Sequence, residues 1–418
     1  MTILNTRGRT MPALQFDFNF MKLAKSKLRG RKNPSGYWRP GGAVELKQVP
    51  TPVMVADDWV ILKTTYCGIC GSDMKELTLT GAFDNPLQTF LSFPQIMGHE
   101  VVGVIEQAGT KVSSLKPGDR VAINPWFSCA PRGIDPPCPR CQAGDFTHCH
   151  NFRRGNLPPG MHLGVTKGFG GFAPYVAVHE SQCFIIPDGV SFEAAALADP
   201  FAVAFHSCLT LRPESGSTIL VYGLGIVGLA TLIWLKNIFK VEHVVAVGRY
   251  PFQKDIALQA GARHVFMSHG EKLVQEVAAY VGAELYTPDR GWQWAVDGVH
   301  GIIDTVGSAS SLEAGMRFLT TQGRLVFTGV DPPRRCENTP HYFKELEIIG
   351  SNACAIEQFQ GQRAHAMEFY LKYAHEKLID AAHLITHKFK LEQYRDAFDA
   401  LAHKQESKAI KVIFDFNE

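Results

Sequence analysis

Net charge is what this sequence has least of. Its 42 Lys and Arg stand against 40 Asp and Glu, leaving +2 at pH 7, so no overall field draws the chain to nucleic acid or to a membrane. Neither is an expected partner. Long apolar runs are missing too: no stretch reaches the roughly 20 apolar residues that span a bilayer, and residues 1–10 lack the apolar core of a signal peptide. A cytoplasmic protein is the expectation. There is no internal repeat and no low-complexity tract, which excludes solenoid and fibrous architectures.

What remains is an ordinary globular composition, 418 residues with 45% hydrophobic and 20% charged, enough chain for about two to three domains. Ten cysteines are present, and four of them, Cys129, Cys138, Cys141 and Cys149, crowd one short segment. Cytoplasmic thiols stay reduced, so this crowding points to metal ligation rather than to disulfides.

Segments 59–65, 100–105, 119–123 and 175–178 are short β-type runs set off by Gly and Pro, the spacing of a compact barrel-like β domain. From about residue 201 the texture changes. Apolar strands at 218–222 and 244–247, and later at 301–305 and 324–328, alternate with helical patterns such as 226–236, which predicts a parallel sheet with helices on both faces. The tail carries an amphipathic helical stretch at 368–375 and a last β-like run, 410–415, placed to pair back onto the first domain. Between 21 and 32 lie Lys22, Lys25, Lys27, Arg29, Arg31 and Lys32 with no acid. This reads as a solvated basic loop; contact with a phosphorylated cofactor or substrate is the functional alternative.

Gly223-Leu-Gly225-Ile226-Val227-Gly228 follows a predicted strand and opens a predicted helix. In that context the first glycine permits a tight turn, the second lets the backbone approach a pyrophosphate, and the third allows close helix–strand packing. The helix N-terminus supplies partial positive charge. Downstream, Cys138-x2-Cys141-x7-Cys149 has loop spacing suited to tetrahedral thiolate coordination, with Cys129 as the fourth ligand. Four sulfurs leave no open position, so this site would hold a loop rather than bind substrate. A second set is scattered: Cys70 in Gly-Ile-Cys-Gly-Ser-Asp73, His99-Glu100 after Gly98, and Asp199 before Pro200. Singly, these are a core thiol, a satisfied histidine and a helix cap. Together they suit a catalytic zinc, which takes three protein ligands, keeps one position open and acidifies a bound hydroxyl.

At these residues the sequence resembles the zinc-dependent branch of the medium-chain dehydrogenase/reductase superfamily, nearest in style to its threonine, sorbitol and polyol dehydrogenases. The likeness runs from about Ala43 onward, through the motifs above together with Lys116-Pro-Gly-Asp-Arg-Val121 and Gly170-Gly-Phe-Ala173. It implies an α/β protein: a GroES-like β-barrel catalytic domain over 1–202, to which 353–418 returns, and a Rossmann doubly wound parallel-sheet domain over 203–352. It implies two zinc ions per chain, a nicotinamide cofactor, an alcohol or carbonyl substrate, and a homodimer or homotetramer. Carried over by position, Cys70 and His99 are the zinc ligands, Glu100 and Asp199 supply oxygen ligands, Ser72 takes the substrate proton, and Asp73 orients the histidine. Cys67 has no counterpart. Asp304 either lines the cofactor cleft or caps a strand end.

Three departures stand out. Cys129 is separated from Cys138 by eight residues where the family begins Cys-x2-Cys, Lys75 replaces a relay histidine, and the basic segment interrupts the start of the first domain. The strand at 244–247 ends in Gly248-Arg249 where an acid would accept the adenosine ribose hydroxyls. Arg249, with Lys254 nearby, therefore favours NADP over NAD. Two other readings are a zinc-stabilised, non-catalytic paralogue of the same fold and a zinc-free quinone or enone reductase. Intact Cys70, Ser72, His99 and glycines argue against the first, and the presence of both metal sets argues against the second.

Overall fold

A computed structural model describes residues 8–80, 85–331 and 334–417. The chain forms two compact units, Met1–Asp199 with Gln358–Glu418, and Pro200–Glu357.

In the first unit the strand Trp59–Gly68 is central. Its run of Val, Ile, Leu, Thr and Tyr suits a pleated, doubly covered position, and it pairs antiparallel with Glu100–Ala108, Tyr175–His179 and the tail strand Lys411–Asp415. Arg120–Ile123 and Cys183–Ile185 extend the sheet beyond Glu100–Ala108, and Ile385–Phe389 lies parallel to the tail strand. The tail thus returns to the first unit, with Phe414 opposite Cys67 and its ring 4.8 Å from that of Phe172. A smaller sheet joins Thr10–Phe16 to Val44–Pro50 in full antiparallel register and to Gln95–Ile96. Between those first two strands the basic segment is not a loop. It is a helix, Phe20–Gly30, capped by Asn19, whose side chain accepts from the amides of Met21 and Lys22. The charges had suggested solvation, whereas Leu23, Ala24 and Leu28 between them supply good helix formers.

The second unit is a parallel sheet. Among the described residues its order is His264–Phe266, His243–Val247, Thr218–Tyr222, Val299–Asp304, Leu319–Phe327, Glu347–Gly350. Numbered along the chain this is 3-2-1-4-5-6, the doubly wound arrangement in which a dinucleotide binds where the order reverses, beside the first strand. The helix Ile226–Asn237 follows that strand, its residues Gly228 to Leu235 all buried.

Candidate active site

The strand Trp59–Gly68 delivers Cys70 to the N-cap of a short helix, Gly71–Leu77. Asp73, in the first turn, turns back and accepts from the Cys70 amide at 2.8 Å, and its other carboxylate oxygen lies 3.8 Å from His99 Nδ1. His99 and Glu100 stand at the start of the neighbouring strand, so pairing of the two strands brings Cys70 to them. One ligand atom from each of Cys70, His99 and Glu100 lies within 4.8 Å of the others. Burial pulls the His99 pKa down, but Asp73, Cys70 and Asp199 outweigh it and hold the ring well above its ordinary value. Asp199 is buried and raised to about 6, by desolvation first and against the pull of His99. It feels both His99 and Glu100 without joining the tight group. Ser72 is exposed in the helix's first turn, and Lys75 is half-buried in its last.

Three groups here were missed from sequence. Lys411, 1% exposed on the tail strand, forms an ion pair with Glu100 and donates to the Ile69 carbonyl at 3.1 Å. Gly68 makes room for this pair, since a Cβ there would stand 2.0 Å from Glu100 Oε2. The Glu100 carboxylate therefore has a resident cation and is not simply a free oxygen ligand. Its lysine partner, 311 residues away, sits in a run whose hydrophobicity hides it; the buried position of a cation in a β-like run was the available signal. His162 places its ring 5.1 Å from His99 and 5.2 Å from Trp126. Its Nδ1–H donates to the Leu163 carbonyl, and burial, then the charge of His99, lowers its pKa to about 3, so the ring stays neutral. Glu76 pairs with the Gln95 amide, and desolvation, then Asp73, raises it to about 8. Nothing in the local sequence marks either.

The four cysteines of the loop converge. Cys129 and Cys149 sulfurs are 3.6 Å apart and Cys138 and Cys149 sulfurs 4.0 Å, close to the roughly 3.8 Å edge of a tetrahedron with zinc–sulfur bonds of about 2.3 Å. No pair is bonded, since all four are free thiols. The amides of Cys138 and Asn151 and the Asn151 side chain donate to the sulfurs at 3.2–3.3 Å. Hydrogen bonding from Cys149 is the largest of the effects that hold Cys141 below the ordinary thiol range. Cys129 reaches the cluster because the eight intervening residues fold around Arg132, fully buried and donating to the carbonyls of Phe127, Arg154 and Pro158. The donor chemistry of both sets fits zinc.

In the second unit the local geometry suits a tight turn at Gly223 and close packing at Gly228. Gly223 has φ +96°, a Cβ on Gly228 would stand 1.9 Å from the Gly223 carbonyl, and a Cβ on Gly225 would point into open space. The helix behind them has no side-chain cap, leaving the first amides of Ile226, Val227 and Gly228 for an anion. Arg249 is exposed, its guanidinium 5.5 Å over the Tyr250 ring, while Gln253 accepts from both backbone amides at that turn. Lys254 is exposed nearby. Asp304 is a cap rather than a cleft group: it is fully buried, and its oxygens accept from the amides of Val306 and Gly307 and the hydroxyl of Ser311.

Fold and donor sets together define a two-unit, metal-dependent dehydrogenase. Residues 56–188 match the alcohol dehydrogenase GroES-like domain and residues 227–368 the zinc-binding dehydrogenase domain. Similar proteins include the sorbitol dehydrogenase of Bacillus subtilis, 28% identical over 88% of this chain and 94% of that one. The (R,R)-butanediol dehydrogenase of Saccharomyces cerevisiae is 26% identical over 91% and 97%. Among solved structures, an Escherichia coli alcohol dehydrogenase complexed with NADH aligns with a TM-score of 0.74 at 24% identity, covering 98% of this chain and all of that one. The chain belongs to the zinc-dependent medium-chain dehydrogenase/reductase superfamily. It is an oxidoreductase of that type, and relatives named as sorbitol and butanediol dehydrogenases lend nothing to a non-catalytic reading.

Proposed function

We propose that the chain interconverts a secondary alcohol of the polyol type and its carbonyl compound, using NADP in preference to NAD and two zinc ions per chain. The observation that carries the reading is the meeting of Cys70, His99 and Glu100 ligand atoms within 4.8 Å. Relatives named as sorbitol, butanediol and arabinitol dehydrogenases support the substrate class. Cys70 and His99 hold the catalytic zinc, with Glu100 and Asp199 as exchangeable oxygen ligands, and Cys129, Cys138, Cys141 and Cys149 hold the structural one. When bound, zinc supplies Lewis acidity toward the alcohol oxygen, and the nicotinamide accepts the hydride.

The protein's own groups do the rest. Asp73 orients His99. Ser72 accepts the proton of the substrate hydroxyl and passes it to water, because the residue at the usual relay position is Lys75. Gly223, Gly225 and Gly228, with the amides of Ile226 and Val227, cradle the pyrophosphate, while Arg249 and Lys254 meet the 2′-phosphate. In this reading the catalytic domain comprises 1–202 with 353–418, the nucleotide domain 203–352, and the enzyme is a cytoplasmic homodimer or homotetramer.

The test is a panel of secondary alcohols, sugar alcohols and 3-hydroxy amino acids, each with NADP and NAD, followed by nicotinamide absorbance on zinc-replete protein. Turnover confined to sugar alcohols or vicinal diols supports the reading. Turnover of 3-hydroxy amino acids alone, or of nothing, removes it.

A further inference from the structure

The helix Phe20–Gly30 has no task in the reaction, and it exposes several large apolar side chains. At 3.6 residues per turn Phe20, Ala24 and Leu28 form one row, with Met21 beside it. That row faces outward: Phe20 is 80% exposed, Met21 75% and Leu28 69%, and Phe18 just before the helix is 64% exposed. The inward face carries Leu23, packed against the core, beside the small residues Ser26 and Gly30. Ser26 is buried and accepts from the Ala43 amide at 3.1 Å, and a Cβ on Gly30 would stand 2.2 Å from the Tyr37 ring. The helix therefore cannot roll to bury its apolar row without driving larger side chains into Tyr37 and the Ala43 strand.

Cations flank the row. Residues 18–44 contain Lys22, Lys25, Lys27, Arg29, Arg31, Lys32 and Arg39 and no Asp or Glu. Lys22 is paired with Glu45, and Arg29 donates to the Pro40 carbonyl, whereas Lys25, Arg31, Lys32 and Arg39 are exposed. An outward apolar row between basic edges matches the surface of a phospholipid bilayer with anionic headgroups, the rings and Met21 entering the acyl boundary while the cations meet phosphate and carboxylate. A second copy of this chain is a poorer match, since it would bring the same cations against these. A nucleic acid would meet the cations and leave the apolar row unused.

We propose that the helix Phe20–Gly30 is a docking surface for anionic membrane, holding the dehydrogenase against a lipid face without crossing it. The near-neutral total charge that argues against a membrane partner for the whole chain conceals this local imbalance, because acids elsewhere cancel it in the sum but not at the surface.

The experiment is co-sedimentation of the full-length protein with vesicles of phosphatidylcholine alone and with about 30% phosphatidylserine. We expect binding only to the second, and its release by raised salt. A triple variant Phe20→Ser, Met21→Ser, Leu28→Ser and a triple variant Lys25→Glu, Arg31→Glu, Lys32→Glu should each lower partitioning at least about tenfold. Dehydrogenase rate in vesicle-free solution should stay that of wild type, which shows that both variants fold. Absence of wild-type binding overturns the proposal. So does loss on charge reversal alone, which would mean adsorption to any polyanion, and so does a lower solution mass for the serine variant, which would give the face to a second copy.

Discussion

In the cysteine loop every ligand atom is sulfur, and the neighbouring amides and the Asn151 side chain point at sulfur. Around Cys70 the donors are mixed, and two of the three already have another partner: His99 faces Asp73, and Glu100 is paired with Lys411. The first arrangement is closed and saturated. The second would be adjustable if it holds a metal as proposed, because a carboxylate that already has a lysine can join or leave a metal without being stranded in a dry interior. Ligand geometry alone does not separate a structural from a catalytic site here; what the ligands do when released separates them.

The largest expected effect tests the closed half. Replacing Cys141 by Ser removes one of the four sulfur donors and should cost roughly 5 kcal/mol of stability, about a third to a half of the ~10–16 kcal/mol that four-ligand zinc contributes to small metal-folded domains. Chemical unfolding with metal analysis of the soluble fraction measures it. A variant as stable as wild type and still carrying both metals would remove the cluster from the fold's support.

The adjustable half should respond in the opposite way. Cys70→Ser is expected to lower kcat by about a thousandfold or more with little change in unfolding midpoint. If Cys70→Ser and Cys141→Ser lose stability equally, the two sites have not divided structure from chemistry.

How much of this division was legible follows from how local each signal is. The glycine fingerprint needs only a strand, a turn and a helix in sequence, and the turn at Gly223 and the close packing at Gly228 follow from it. The cysteines are close in sequence, though Cys129 joins them only through the fold around Arg132, which no spacing rule contains. Lys411 and Glu100 meet because the tail strand returns to Trp59–Gly68, and a return was foreseeable while its lysine's partner was not. Asp304 was ambiguous because both its readings place a carboxylate at a strand end, and only its three hydrogen bonds decide between them. The segment at 21–32 reads as a loop from its charges alone, whereas Leu23, Ala24 and Leu28 carry it into the helix Phe20–Gly30.

Lys411→Met sharpens the comparison at its most unusual point. The substitution keeps the bulk of the side chain and deletes the charge, leaving Glu100 buried without its cation and the Ile69 carbonyl without its donor. About 3 kcal/mol should be lost in metal-free protein, as for other broken buried pairs. The loss should shrink when zinc is restored, because the carboxylate then has a second positive partner. An equal loss with and without zinc would show that Glu100 never leaves its lysine, and the exchangeable ligand would have to be Asp199 alone.

The smallest effect lies in the second unit and concerns the choice of nicotinamide rather than the metals. The strand His243–Val247 ends at Gly248-Arg249, where an acid would otherwise bind the ribose hydroxyls and repel a 2′-phosphate. Gly248 sits close to Leu224, whose methyl would stand 3.0 Å from an added Cβ, and Arg249 turns outward with its backbone fixed by Gln253. The backbone at Arg249 is thus held by the turn, while the exposed side chain is free to fork onto a phosphate with charge-assisted hydrogen bonds. Such contacts correspond to about a ten- to hundredfold preference for NADP. Arg249→Ala should erase most of that preference through the KM for NADP, leave kcat nearly unchanged, and leave both metals in place. The ratio of kcat/KM with NADP and with NAD, taken on wild type and variant, measures it. A wild type that prefers NAD, or a ratio that the substitution does not move, would place the selectivity elsewhere in the nucleotide unit and leave the contrast between the two metal sets untouched.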